Sequence, residues 1–152
     1  AHRAVRAAIR AGAEPGAIRR LLASCGLPTA DLTGELAPRF LGAFDGETLA
    51  GVVGLEIYEE AGLLRSLAVD PRSGGGGLGG RLLAAAEACA REEGVAALYL
   101  LTMTAEPFFR SRGYRRVPRE EAPPAIRGTS EFSSLCPQAA AFLVKELSAP
   151  AA

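Results

Sequence analysis

Ser66-Leu-Ala-Val-Asp-Pro-Arg-Ser-Gly-Gly-Gly-Gly-Leu-Gly-Gly-Arg-Leu-Leu83 is the stretch around which the chain is organised. Aliphatic residues from Leu63 to Val69 predict a strand, which Asp70-Pro71 ends because proline cannot continue a hydrogen-bonded ladder. Six glycines follow between positions 74 and 80. A helix is predicted next, from the helical spacing of its apolar residues, Leu82, Leu83, Ala86, Cys89 and Ala90.

A strand that passes through a glycine loop into a helix predicts an anion site. The glycines let backbone N–H groups turn toward a ligand, and the first helical turn adds unpaired donors and a positive dipole. We expect a phosphate or pyrophosphate. The P-loop of nucleotide triphosphatases is excluded, since it needs a lysine and the chain has only Lys145. Gly75, Gly77 and Gly80 fit the dinucleotide spacing, but no acidic residue ends the next strand. A flexible linker is the alternative interpretation.

Length and composition favour one compact domain, residues 1–152. The 152 residues are 49% hydrophobic and 22% charged, and 17 basic residues balance 17 acidic ones. This balance favours neither a nucleic-acid partner nor a membrane surface. Three widely spaced cysteines, Cys25, Cys89 and Cys136, predict neither a disulfide frame nor a metal site, so a reducing cytoplasm is the expected location.

The order of the predicted elements indicates an α+β fold. Strands are expected near residues 5–9, 40–44, 49–58, 62–69, 95–102, 114–117 and 139–147, and helices near 14–26, 29–37, 78–93, 106–112 and in part of 126–135. Asp45-Gly46 predicts a hairpin, whereas the helix after the glycine loop makes its flanking strands parallel. We therefore expect a mixed, mostly antiparallel sheet of six or seven strands with helices on both faces.

Two motifs resemble those of the GNAT N-acetyltransferases. Leu67-Ala-Val-Asp-Pro, followed by the glycines and Leu78-Gly-Gly-Arg-Leu-Leu83, is similar to the family's acetyl-CoA motif, although Gly74 stands where glutamine or arginine is usual. Ala105-Glu-Pro-Phe-Phe-Arg-Ser-Arg-Gly-Tyr114 resembles a second family segment. The resemblance implies the GNAT fold and acetyl-CoA as co-substrate. The residues that it places against the cofactor are Leu67, Ala68, Val69, Gly74, Gly75, Gly76, Gly77, Leu78, Gly79, Gly80 and Phe109.

Three further segments resemble a small GNAT group associated with arsenic resistance, which is similar to amino-acid acetyltransferases. They are residues 62–67, 98–106 and 124–137. The resemblance implies acetyl transfer to a small-molecule amine, such as an amino acid or an amino-acid-like toxin, by a protein that is often a homodimer. A non-catalytic acyl-CoA sensor and a protein N-acetyltransferase are the alternatives.

The resemblance also suggests catalytic residues. Glu56 lies on an otherwise apolar strand and is the candidate base, unless it points to solvent. Phe109 replaces the family's usual acid, a tyrosine, and cannot donate a proton. The leaving thiolate then needs another donor, for which water, the amine, Tyr114, Thr102 and Thr104 are candidates.

Arg65 is the first candidate for binding the acceptor. We expect it on the same strand face as Leu67, where a buried arginine needs an anion, either a substrate carboxylate or Glu56. Three residues of the distinctive late segment could also line the acceptor pocket, or else only cap and pair at the surface: Arg127, Thr129 and Glu131. Cys136 is expected to be a small buried residue rather than a nucleophile or arsenic ligand.

Overall fold

A computed structural model describes residues 7–27, 29, 39–73, 77–135 and 139–147, with the side chains of residues 134 and 135 excepted. Within these residues the chain forms one seven-stranded sheet of order β1-β2-β3-β4-β5-β7-β6. Its neighbours are antiparallel except for β4 and β5, which are parallel. The predicted mixed, mostly antiparallel sheet is confirmed. The strands are β1 Ala8–Arg10, β2 Arg39–Asp45, β3 Thr48–Tyr58, β4 Ala61–Val69, β5 Ala97–Thr102, β6 Arg115–Arg116 and β7 Ala141–Glu146.

The helices are α1 Pro15–Ser24, α2 Leu78–Glu92, α3 Glu106–Arg110 and α4 Pro124–Arg127. Short 3₁₀ turns occupy Pro71–Ser73 and Arg119–Glu121, and a π-helical turn occupies Glu131–Leu135. Proline suits the start of α1, because an N–H group in the first turn of a helix would have no acceptor within the helix. The helix predicted at residues 29–37 lies outside the described residues. None of the described helices is long and apolar enough to cross a bilayer.

Helices cover both faces of the sheet, as predicted. Leu78, Leu82 and Leu83 of α2 are buried in the main core cluster, together with the aromatic residues Phe109 and Tyr114 that follow β5. On the opposite face, α1 packs on Val52 and Ala68, and α4 packs through Ile126 on Leu63. Each fully buried leucine or isoleucine contributes on the order of 2 kcal/mol to this packing.

The two parallel strands separate soon after they meet. They pair only from Ala61 to Leu63 of β4 and from Ala97 to Tyr99 of β5. Beyond that point the facing edges of β4 and β5 lack a strand partner, whereas β4 stays paired with β3 as far as Val69. A gap therefore opens in the middle of the sheet.

A β-bulge in β4 changes which face its residues occupy. Gly54 pairs with Arg65 and Val52 with Ala68, so Ser66 and Leu67 together oppose Val53. Ser66 adopts the left-handed conformation, with φ +58°. The expectation that Arg65 and Leu67 share a face is wrong because the bulge adds one residue between them. Leu67 packs toward α2, and Arg65 faces the side of α1 and α4.

Candidate active site

The gap between β4 and β5 opens into a cavity of about 730 Å³. Residues from both faces of the sheet contribute to its wall, since α2 and α3 lie on one side and the C-terminal end of α1 lies on the other. A volume of this size suits a small-molecule or cofactor site. The described lining residues are Cys25, Gly26, Leu27, Leu64, Arg65, Ser66, Leu67, Val69, Gly79, Leu100, Leu101, Thr102, Met103, Thr104, Ala105, Phe108, Phe109 and Glu131.

The free edge of β4 forms one wall of the cavity. Leu67 and Val69 line it, but Ala68 does not, because its side chain packs against α1. The Cys25 thiol lies 3.8 Å from the carbonyl oxygen of Val69, at hydrogen-bonding distance for sulfur. Backbone N–H and C=O groups on this edge are available to a ligand that lies along the strand, as the resemblance implied for Leu67, Ala68 and Val69.

The N-terminus of α2 lies at one end of the cavity. Gly77 has φ +70°, a conformation that glycine adopts without strain, and Leu78, Gly79 and Gly80 form the first turn, whose N–H groups have no helical acceptor. Gly79 lines the cavity, and a Cβ there would lie 3.6 Å from the Phe108 ring. The proposed phosphate-binding residues Gly74, Gly75 and Gly76 lie outside the described residues.

Arg112 adds a positive charge at this end. Its guanidinium stacks over the Phe108 ring, 3.8 Å from the ring centroid, and donates to the Phe108 carbonyl oxygen at 3.0 Å and to Ser111 Oγ at 3.1 Å. A Cβ on Gly80 would lie 3.3 Å from Arg112 Nη2. The guanidinium thus stands beside the first turn of α2, where it reinforces the attraction of an anion.

A buried ionic cluster lies on the other side of the cavity. Arg65 Nη1 donates to Glu56 Oε2 at 2.9 Å, Arg65 Nε lies 3.8 Å from Glu131 Oε1, and Tyr58 Oη donates to Glu56 Oε1. The Arg65 side chain is 0% exposed, and that of Glu131 is 9% exposed. Both residues belong to the described cavity wall, although the Arg65 side chain is fully covered and that of Glu131 nearly so.

This cluster bears on two expectations about the site. The Arg65 guanidinium is fully covered and pairs with Glu56, the simpler of the two expected anions, so this arrangement gives no support to Arg65 as the anchor of a substrate carboxylate. Glu56 is not among the described lining residues, and both of its oxygens accept hydrogen bonds. The geometry does not support Glu56 as a base that contacts the acceptor.

Thr102 and Phe109 do line the cavity. Thr102 Oγ1 accepts a hydrogen bond from the N–H of Ala105 at 3.0 Å, which leaves the hydroxyl proton available for a second partner. Phe109 is buried at the cavity wall, and its ring packs edge-on against those of Phe108 and Tyr114. Its side chain supplies shape and no proton.

Tyr114 is not a cavity residue. It is buried in the α2 core, and its hydroxyl donates to Glu87 Oε2 at 2.9 Å, while Lys145 Nζ lies 3.1 Å from both Glu87 oxygens. Burial, followed by the charge of Glu87, raises the pKa of Tyr114 well above its usual range. Tyr114 was a candidate acid for the thiolate, and this geometry gives that role no support, because its hydroxyl is bonded to Glu87 and lies away from the described cavity wall.

Arg127 and Thr129 have structural roles. Arg127 Nε donates to the Ala122 carbonyl at 3.0 Å, and its Nη2 donates to that of Glu120. Thr129 Oγ1 donates to the Ile126 carbonyl at 2.7 Å and caps the end of α4. Neither is among the described lining residues, so of the three late candidates only Glu131 borders the cavity. Cys136 lies outside the described residues.

Sequence reasoning did not single out several residues of the described cavity wall, among them Cys25, Met103 and Phe108, nor did it single out Arg112, which lies beside the first turn of α2. Cys25 reaches the cavity only through the packing of α1, for which no local signal exists. Met103 is a large apolar side chain left 59% exposed directly after β5, and Phe108 lies within the recognised aromatic segment. Arg112 follows Phe108 by four residues, a spacing that brings two side chains together across a helical turn.

Comparisons with known proteins agree with this geometry. The family profile described as "Acetyltransferase (GNAT) domain" matches residues 37–116. No curated protein gives a significant match to the sequence. N-acetylglutamate synthase from Neisseria gonorrhoeae, complexed with coenzyme A and N-acetyl-glutamate, is similar with a TM-score of 0.75 and 23% identity. That match covers 97% of this chain but only 36% of the synthase chain.

Two smaller solved structures match over nearly their whole length. A GNAT-family acetyltransferase from Staphylococcus aureus has a TM-score of 0.75 and 17% identity, over 93% of this chain and 99% of that one. A Mycobacterium tuberculosis protein in complex with CoA and a second ligand has a TM-score of 0.75 and 18% identity, over 91% and 98% of the two chains. At these identities the likeness shows the shared fold.

Proposed function

This chain belongs to the GNAT acetyltransferase family, whose members take an acetyl group from acetyl-CoA, and we propose that it passes this group to the amine of a small molecule by direct attack. The observation that carries the proposal is the separation of β4 from β5 beside the N-terminus of α2. An unpaired strand edge and a helix N-terminus lie along one cavity, which suits a ligand with an extended amide-bearing arm and a pyrophosphate.

The chemistry requires the thioester carbonyl to be held while a neutral amine attacks it. The amine nitrogen bonds to the carbonyl carbon, the C–S bond breaks, the nitrogen gives up one proton to water, and the thiolate takes up one proton, so that the N-acetyl product and free CoA form without a net change in protons. Backbone N–H groups on the free edge of β4 are the donors that we assign to the developing oxyanion. We assign Thr102, whose hydroxyl proton is available at the cavity wall, as the side chain that donates a proton to the thiolate.

The acceptor is proposed as a small amine. An amino acid was expected from the sequence because Arg65 could have held its carboxylate, and burial of Arg65 removes that support. The partial enclosure of the cavity by α1, α3 and Glu131 favours a small molecule over a protein tail.

The test is release of free thiol from acetyl-CoA in the presence of a panel of amines. The panel contains amino acids, their amides, diamines and amino-acid-like arsenicals. Turnover with at least one amine supports the proposal, and Thr102→Val should then lower kcat by about tenfold or more if the hydroxyl protonates the thiolate. Thr104→Val is the comparison, because Thr104 is the other candidate hydroxyl of the cavity wall: a decrease confined to Thr102→Val assigns the proton to Thr102, whereas a decrease confined to Thr104→Val contradicts that assignment.

A second candidate function is binding of an acyl-CoA without transfer. Phe109 favours it, because a ring without a hydroxyl lines the cavity at the position where the family usually carries the acid. Calorimetric binding of acetyl-CoA with no thiol release on any amine would support this alternative. Phe109→Tyr discriminates further, since a restored hydroxyl should create or accelerate turnover only if proton donation is the missing element.

A further inference from the structure

The deep end of the cavity is apolar on the face of the sheet that α2 covers. The pairing of β4 with β5 ends at Leu63 and Tyr99, so Leu64 and Leu100 are the first residues of the gap. Both side chains line the cavity and belong to the core cluster beneath α2, as does Phe109. Two leucines and a phenylalanine therefore border the gap at the end where the strands meet.

The charged residues of the described wall lie elsewhere. Arg65 and Glu131 approach each other to 3.8 Å on the opposite face of the sheet. Phe109 adds no polar atom at the position where the family usually carries a tyrosine. A carboxylate placed against the two leucines and Phe109 would lose hydration and gain no hydrogen bond from these three side chains.

The expected path of the cofactor brings its acyl group to this end. The pyrophosphate is proposed at the first turn of α2, and the arm would follow the free edge of β4 toward the point where the two strands meet. Alternation along β5 places Thr102, the proposed proton donor to the thiolate, on the same face as Leu100. Leu100 lies two residues deeper, or about 6 to 7 Å along the strand. The acyl carbons of a thioester at Thr102 would therefore point toward Leu100.

We propose that Leu64, Leu100 and Phe109 form a pocket for the acyl group of the donor, which admits uncharged straight chains of about two to four carbons, the length of that gap. Chains that end in a carboxylate are rejected. The proposal rests on the acetyl transfer proposed above and names the class of donor. The transfer step is the one given there, with a longer acyl group in place of acetyl. Leu100 limits the chain length, and the Phe109 ring completes the apolar wall.

The experiment measures kcat/KM for thiol release from acetyl-, propionyl-, butyryl- and malonyl-CoA, with the most active amine of the panel. Thiol released without amine is subtracted. Butyryl and malonyl groups are similar in length, but only the malonyl group ends in a carboxylate. In wild type we expect butyryl-CoA to exceed malonyl-CoA by at least about tenfold, because the pocket offers the carboxylate no compensating group.

Leu100→Val and Leu98→Val form a matched pair of variants. Both leucines lie on β5, belong to the same core cluster and are 1% and 0% exposed, but of the two only Leu100 lines the described cavity wall. Valine suits a strand, so both variants are expected to fold. Leu100→Val should raise the butyryl-to-acetyl ratio of kcat/KM about fourfold, the effect of one buried methylene group. Leu98→Val should leave that ratio unchanged.

Three results would overturn the proposal. Wild type that uses malonyl-CoA as well as butyryl-CoA is the first, and it needs no variant to fold. The second is turnover confined to acetyl-CoA in both wild type and Leu100→Val, and the third is an equal butyryl-to-acetyl ratio in folded Leu100→Val and Leu98→Val. If acetyl-CoA releases no thiol with any amine, the acetyl transfer is refuted together with the pocket, whereas turnover with a ratio independent of Leu100 refutes the pocket alone.

Discussion

The Arg65→Met substitution tests whether Arg65 stabilises the fold or only binds the substrate. The substitution keeps an unbranched apolar stem but removes the guanidinium that bonds Glu56 at 2.9 Å and approaches Glu131 at 3.8 Å. Two carboxylates would remain under or at the cavity wall without their cation. If Arg65 only bound a substrate carboxylate, the same change would weaken substrate binding and leave the fold intact.

The size of the effect follows from burial. Removing one partner of a buried ion pair costs about 3 to 5 kcal/mol, because the remaining charge is left uncompensated. A domain with a total stability of about 5 to 15 kcal/mol would lose a large part of it. With a denaturant slope of roughly 2 kcal/mol per molar, the urea midpoint should fall by about 1.5 to 2.5 M.

The assay is urea unfolding followed by far-ultraviolet circular dichroism, which suits a chain without tryptophan. Arg39→Met is the matched control. The Arg39–Glu93 ion pair is shorter, at 2.6 Å, but its side chains are 54% and 42% exposed, so its midpoint should stay close to that of wild type. Combining Arg65→Met with Glu56→Gln should recover part of the loss. A midpoint for Arg65→Met that matches Arg39→Met would refute the structural role.

Three further predictions concern side chains that lie beside α2. Arg112→Met should raise the KM for acetyl-CoA severalfold and make that KM less dependent on salt concentration, with little change in kcat. Steady-state kinetics will test this expectation. Lys145→Met should lower the urea midpoint more than Glu87→Gln. The first change leaves the buried Glu87 carboxylate without the lysine, whereas after the second change Lys145 can extend to solvent. The pKa of Tyr114 is raised in the folded chain, so as the pH rises the unfolded chain loses this proton first, near pH 10. The free energy of unfolding should therefore fall above about pH 10. Tyr114→Phe should make this fall shallower when unfolding is measured as a function of pH.

The elements of the fold were predictable because each carries a local signal. Alternating or continuous aliphatic residues marked the strands, Asp45-Gly46 marked a hairpin, and the glycine loop marked the start of α2 at Leu78. The parallel pairing of β4 with β5 followed from the helix between them. These are properties of short windows of sequence, and most of the boundaries in the structure differ by one or two residues from those expected, although β1 begins at Ala8 rather than near residue 5.

Much of the site could not be predicted in the same way, because it depends on one inserted residue and on distant partners. The bulge at Ser66 leaves no mark in an aliphatic strand, yet it reverses the face of every following residue. Tyr114 looked available as an acid because nothing near it in sequence shows that Glu87, 27 residues away, accepts a hydrogen bond from its hydroxyl. Arg127 likewise has polar neighbours in sequence, and only the folded chain shows that it caps the turn at Arg119–Glu121.

The bulge explains how one strand serves two different surfaces. A serine in the left-handed conformation costs roughly 1 to 2 kcal/mol, and the hydrogen bond from Arg65 Nε to Ser66 Oγ at 3.2 Å offsets part of that cost. Without the extra residue, Arg65 and Leu67 would share a face, so either the guanidinium would enter the apolar α2 core or Leu67 would leave the cavity wall. Gly54 completes the arrangement, because a Cβ there would lie 3.1 Å from Arg65 Cγ and 2.9 Å from the Phe40 ring. The strain at Ser66 is thus the condition under which β4 places Leu67 at the cavity wall and buries the Arg65 guanidinium on the opposite face of the sheet.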